Sequence, residues 1–162
     1  MKKHVRIYMA GPLFTLAERS HNQRLAQALH RINPALDCLL PQTRAAAFLP
    51  DLQAVAEDCW EQIRQADVVV ACLEGSDADS GTSAELGFAK ALNKPVIGYR
   101  TDFRGCEVDG LNAMLRYGCN AYVFQPCSLE TPGVDPLEQL AQALVAELAL
   151  LSGMSTNEAC NA

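Results

Sequence analysis

In the stretch DSGTSAELGFAKALNKPVIGY, residues 79–99, two carboxylates stand six positions apart: Asp79 in a loop and Glu85 at the start of a small-residue helix. Gly81 permits a tight strand-to-helix turn, and Thr82 or Ser83 can cap the helix. That places Glu85 in the first turn, where the helix dipole favours an anion by roughly 0.3–1 kcal/mol. A carboxylate kept ionised in this way suits a nucleophile. Asp79 leads into the same turn, and two carboxylates in one crevice are the usual equipment for breaking a glycosidic bond. One attacks the anomeric carbon and the other manages the leaving group's proton. Both residues also have plainer uses. Thr82 and Glu85 fit the S/T-x-x-E capping box, and SDADSG is a turn-forming run in which Asp77 competes with Asp79.

A second run, IYMAGPLF (7–14), adds Tyr8, Gly11 and Pro12. Gly11 and Pro12 let the backbone approach a ligand closely. Tyr8, near the end of a strand, is placed to hydrogen-bond Glu85 if it faces the crevice, or to pack under a helix if it does not.

The elements that must position these groups alternate in type. HVRIYMA (4–10) reads as a first strand, closed by Gly11-Pro12. Residues 15–32 carry Leu16, Leu25, Leu29 and Ile32 at helical spacing and predict an amphipathic helix. DCLLP (37–41) is a short second strand stopped by proline, AAAFLPDLQ is irregular, and residues 54–66 form the second helix. DVVVACL (67–73) is continuously apolar and β-branched, as in a strand buried on both faces. A helix over about 82–92, the strand PVIGY, a loop, a short helix LNAMLRYG, the strand AYVF and a final helix in DPLEQLAQALVAELALL complete the series. The fold class is therefore α/β: a doubly wound, five-stranded parallel sheet of flavodoxin- or Rossmann-like order, with ligands beyond the C-terminal ends of the strands. One domain spans 1–151, and 152–162 is a frayed tail.

Bulk properties exclude several classes. The 162 residues support one domain with a sizeable core. The net charge of -6 argues against a nucleic-acid surface. The apolar runs are strand-sized, too short for a membrane span, and Arg6 and Gly11-Pro12 interrupt the start before it can serve as a signal peptide. Seven scattered cysteines without a CxxC pair, beside only three histidines, predict reduced thiols in the cytoplasm and no metal site. AGPLF is no G-x-G-x-x-G and no P-loop is present, so no cofactor is expected. His4, His21 and His30 read as surface or helix-face residues, Trp60 as packing against the sheet, and Cys72 as a buried small hydrophobe.

Taken together, IYMAGPLF, PQ at 41–42, ADVVVACLEGSDADSGTSAELGFAKALNKPVI and LNAMLRYG resemble the nucleoside 2-deoxyribosyltransferase family over residues 5–124. The resemblance implies cleavage of the N-glycosidic bond of a 2′-deoxynucleoside and passage of the sugar to another free nucleobase, through a covalent deoxyribosyl-enzyme. The family's glutamate nucleophile matches Glu85. Its base-protonating acid matches Asp79, and the tyrosine orienting the nucleophile matches Tyr8. Gln42 resembles a base-contacting glutamine. Asn112, with Met114 close by, matches an asparagine reaching in from a neighbouring subunit, which implies a homo-oligomer, a dimer or hexamer. A family aspartate that binds the sugar 5′-hydroxyl falls at Cys59 in register, with Asp58 one place before it. Gly11, Pro12 and Phe14 of the first motif and Gly81 and Ser83 of the second join the substrate-binding surface.

Two rival readings share the fold: a nucleoside 5′-monophosphate N-glycosidase, and a non-catalytic nucleotide sensor. Ser80, Thr82, Ser83 and Arg19 leave a phosphate site conceivable, whereas the charges of Asp79 and Asp58 disfavour one.

Overall fold

The computed structural model describes residues 4–102, 111–126, 133 and 135–154. Strand β1 (Val5–Ala10) leads to α1 (Leu16–Ile32), β2 (Leu36–Leu39), α2 (Pro41–Arg44), a 3-10 turn (Ala45–Ala47) and α3 (Leu52–Gln65). Then follow β3 (Val68–Cys72), α4 (Ser80–Ala91), β4 (Val96–Arg100), α5 (Ala113–Gly118), β5 (Ala121–Phe124) and α6 (Pro136–Met154). All four pairings are parallel and the strand order is β2-β1-β3-β4-β5. The chain leaves β1 toward one side of the sheet and returns to β3 on the other. The β1/β3 boundary is thus the topological switch point, the place where such sheets open a crevice.

Alternation along the central strands divides the core. Ile7, Met9, Val68, Val70 and Cys72 face α1 and α6, where Leu140, Leu144 and Leu148 form an i, i+4 stripe. Tyr8, Ala10, Val69, Ala71 and Leu73 face α3, α4 and α5. Every residue of β3 and β4 is buried, as the continuous apolar runs require. Each such aliphatic side chain contributes about 1.5–3 kcal/mol on leaving water.

The structure differs from the sequence reading in places with identifiable causes. Pro41 does not merely stop β2. It occupies the first position of α2, where its missing N–H costs nothing. Leu16 is not on the buried stripe of α1: it is exposed, and the stripe begins at Asn22. His21 is a helix-face residue of α1, half-buried rather than exposed. Its ring nitrogen Nε2 lies 3.0 Å from the Tyr99 hydroxyl, and burial lowers its pKa. Trp60 packs on the sheet cluster as expected, and also against Phe88 of α4 with ring centroids 4.8 Å apart. Helix α6 runs to Met154, three residues into the expected tail, and 155–162 lie outside the described residues. Most of the 101–110 loop and Cys106, Cys127 and Cys160 are also outside them; the cysteines that are described, 38, 59, 72 and 119, are all free. Among the described residues no helix is long and apolar enough to cross a membrane, and no cluster of metal-ligating side chains is present.

Candidate active site

Helix α4 begins earlier than its small-residue pattern predicts, because Asp79 is itself the N-cap. Asp79 Oδ2 accepts from the Thr82 amide at 2.9 Å and from the Thr82 hydroxyl at 3.2 Å, and the Ser83 hydroxyl donates to the Asp79 carbonyl at 3.0 Å. A Cβ at position 81 would lie 3.0 Å from Asp79 Oδ2, so Gly81 makes room for the cap. The Thr82–Glu85 capping box does not form: Thr82 is buried and its hydroxyl is committed to Asp79. A capping box does form at α1, between Thr15 and Glu18.

This correction changes the electrostatics of Glu85. It sits in the second turn of α4, beyond the reach of most of the dipole's field, which fades within the first turn. Burial dominates instead and pushes its carboxyl up to about 7. Donation from Tyr8 opposes the rise and the charge of Asp79 adds to it. Glu85 is therefore a carboxyl poised near neutrality rather than one held firmly ionised.

Tyr8 satisfies both alternatives posed by the sequence. Its side chain is fully buried under α3 and α4, and its hydroxyl donates to Glu85 Oε1 at 2.6 Å across the β1/α4 gap. Burial and the neighbouring carboxylate raise the phenol well above its ordinary range, so it remains a proton donor. Both bonds accepted by the Asp79 carboxylate from Thr82 fall on Oδ2, so Oδ1 is engaged by neither. A carboxylate held by a buried donor, with a second carboxylate at the N-cap of the same helix, is an arrangement able to displace a leaving group at an electrophilic carbon.

The other predicted residues divide. Gly11 lies against β3, where a Cβ would come within 3.1 Å of the Cys72 Cβ, so close packing requires the glycine. The Pro12 carbonyl accepts from Asn22 Nδ2 at 2.9 Å. Phe14 is exposed at the β1–α1 turn. Gln42 is bound into the protein: its Nε2 donates to the Arg19 carbonyl at 2.9 Å and its Oε1 accepts from Asn22 at 3.2 Å. Asp58 is likewise occupied. It accepts from Arg44 on both oxygens, with Nε at 3.1 Å, and from Gln62 Nε2 at 2.6 Å. Cys59, the next residue of α3, is half-buried, and burial raises the pKa of its thiol. Asn112 caps α5 by accepting from the Met114 amide at 2.8 Å, and Met114 is 81% exposed. Asn112, Met114, Ser83 and Tyr117 line a groove of about 960 Å³ between α4 and α5, beside the Asp79–Glu85 turn.

Arg44, Asn22 and Gln62 escaped the sequence reading. Asn22 carried a usable signal, since positions 22, 25 and 29 share one helical face and a polar residue on an apolar stripe requires partners. Arg44 gave none, because its partner lies in a different element.

The family model described as nucleoside 2-deoxyribosyltransferase matches residues 7–146. An uncharacterized protein of Ureaplasma parvum serovar 3 is 33% identical over 107 residues, 59% of this chain and 66% of that protein, just under two thirds of its length. A conserved protein from Enterococcus faecalis V583 shares the fold with TM-score 0.68 at 27% identity, covering 85% of this chain and 95% of that one. A 2-deoxyribosyltransferase from Bacillus psychrosaccharolyticus is similar at TM-score 0.60 and 24% identity, over 73% of this chain and 85% of the other.

Proposed function

The chain belongs to the nucleoside 2-deoxyribosyltransferase family, and from that premise we propose that it moves a 2-deoxyribosyl group between nucleobases through a covalent intermediate on Glu85. The observation that carries this reading is the 2.6 Å hydrogen bond from Tyr8 to Glu85 at the switch point of the sheet. It fixes one carboxylate oxygen and leaves the other to attack C1′ of the sugar. As the glycosidic bond breaks, its electron pair leaves with the base, and Asp79 handles the proton that the departing base requires. The deoxyribosyl ester on Glu85 is then opened by the nitrogen of an incoming base. The 2′-deoxy sugar favours this route, since no electron-withdrawing 2′-hydroxyl opposes the oxocarbenium-like transition state. Residues 11–14, Gln42 and the 79–83 turn provide the substrate surface. Asn112 and Met114 complete a neighbour's site in a homo-oligomer, which accounts for an apolar groove and an exposed methionine beside the turn.

A second reading, hydrolysis of a nucleoside 5′-monophosphate, gains from one observation. Asp58 is neutralised by Arg44, so one charge that would repel a phosphate is offset. Incubating the protein with deoxyinosine or thymidine, with and without adenine or cytosine, separates the readings. Base exchange supports transfer. Free base released equally without acceptor, and faster from the 5′-monophosphate, supports hydrolysis.

A further inference from the structure

Two backbone carbonyls settle the orientation of two side-chain amides at the C-terminal edge of the sheet. A carbonyl oxygen only accepts, so Asn22 must turn its nitrogen to the Pro12 carbonyl, at 2.9 Å, and Gln42 must turn its own to the Arg19 carbonyl, at 2.9 Å. The second proton of Asn22 Nδ2 goes to Gln42 Oε1 at 3.2 Å. Asn22 is 7% exposed, and both protons on its nitrogen are engaged within the protein. Gln42 is half-buried and keeps one N–H and one oxygen lone pair beyond these bonds. Its carboxamide is locked: turned over, it would set oxygen against the Arg19 carbonyl and nitrogen against the Asn22 nitrogen. The place is also defined. Tyr8 and Leu39 are register partners in β1 and β2, and Pro12 and Gln42 follow shortly after them in the chain. Both therefore sit beside the switch point, on the edge where such sheets take ligands.

From this arrangement we infer that Asn22 is a positioning residue that sets nucleobase specificity through Gln42. A locked carboxamide offers a donor and an acceptor in a fixed order, and nucleobases carry such pairs in opposite orders. Adenine presents an amino donor beside a ring-nitrogen acceptor, whereas hypoxanthine presents an oxo acceptor beside a ring N–H. Cytosine and uracil differ in the same way. An amide matched to one order meets donor with donor and acceptor with acceptor in the other. Asn22 supplies one of the two restraints on that order and is the only one of them made by a side chain. Without it Gln42 is tied by its nitrogen alone, and its oxygen is free to swing.

The inference rests on the proposed function for its ligand, a nucleobase, so the deciding experiment reads binding apart from turnover. Calorimetry in the Glu85→Ala chain compares deoxyadenosine with deoxyinosine and deoxycytidine with deoxyuridine. If that chain still consumes them, ratios of kcat/KM are taken instead. One member of each pair is expected to be favoured by roughly 5- to 150-fold. Adding Asn22→Leu, which suits the stripe of Leu25 and Leu29, should collapse both ratios to within about twofold of one. Adding it to a chain that also carries Gln42→Leu should change neither ratio, since no amide remains to be oriented. Should leucine at 22 fail to fold, Asn22→Ala takes its place under the same expectation. Absence of binding, ratios near one at the start, ratios that survive the loss of Asn22, or an equal effect without Gln42 each overturn the inference. If the ratios move as stated and wild type transfers no deoxyribosyl group, the function reading fails and this one stands. If transfer is found and the ratios ignore Asn22, the reverse holds.

Discussion

Tyr8 and Glu85, 77 positions apart in the chain, meet in a 2.6 Å hydrogen bond where β1 and α4 close on the C-terminal edge of the sheet. The bond is charge-assisted when Glu85 is ionised, and bonds of that kind contribute about 1.5–3 kcal/mol. Tyr8→Phe keeps the buried ring and removes only the donor. The variant should fold normally by circular dichroism and lose roughly 10- to 150-fold in kcat/KM. Its acid limb should also move upward in pH. An unchanged profile would mean that the hydroxyl does not bear on the nucleophile.

Glu85→Ala should remove nearly all turnover while leaving the fold intact, because a lost nucleophile costs several powers of ten. Mass spectrometry of wild type with deoxynucleoside and no acceptor should find a deoxyribosyl adduct on the peptide containing Glu85. A variant retaining more than about a tenth of the wild-type rate would rule out the covalent route.

The carboxyl of Glu85 is raised from 4.5 to about 7, which has two consequences. Activity should rise with pH through about 7, as the attacking carboxylate forms. Stability should run the other way. Between 4.5 and about 7 the folded protein holds a proton that the unfolded chain has released, so the group's contribution is complete below 4.5 and is lost as pH rises through about 7. Glu85→Gln cannot ionise and should be more stable than wild type above that range, by about 1–3 kcal/mol. Thermal melts at acid and alkaline pH test this: a difference that stays constant with pH would exclude the raised carboxyl.

Asp79 has two roles that its substitutions can separate. Asparagine still caps a helix, whereas alanine does not and should cost about 1 kcal/mol of stability. Asp79→Asn should therefore melt near wild type yet slow the cleavage of substrates whose base is a poor leaving group, sparing activated ones. Equal loss for both kinds of substrate would assign Asp79 to the cap alone.

Asn112 and Met114 stand on the exposed groove between α4 and α5. If they complete a neighbour's site, mixing inactive Glu85→Ala and Asn112→Ala chains should restore part of the activity. Mixed pairs then hold one site with both lesions and one with neither. A fully active monomer in sedimentation would defeat the shared site.

Local patterns alone decided much of this protein. The apolar run over 67–73 had to be a doubly buried strand, the strand–helix alternation had to yield a parallel sheet, and AYVF is β5 at the expected residues. Tyr8, Asp79 and Glu85 were legible as a group because their motifs close the first and third strands, and parallel topology carries both ends to one edge. What only the tertiary structure decided lies between elements. Whether Thr82 or Asp79 caps α4 depends on the path of the loop before it, and that choice moved Glu85 from the first turn to the second. The ionisation of Glu85 followed, because desolvation is set by what α3 and β1 lay over a carboxyl, not by its neighbours in sequence. Likewise Asp58 turns to Arg44 and Gln62 rather than to a ligand, because the seating of α2 beside α3 brings a guanidinium to it from another element.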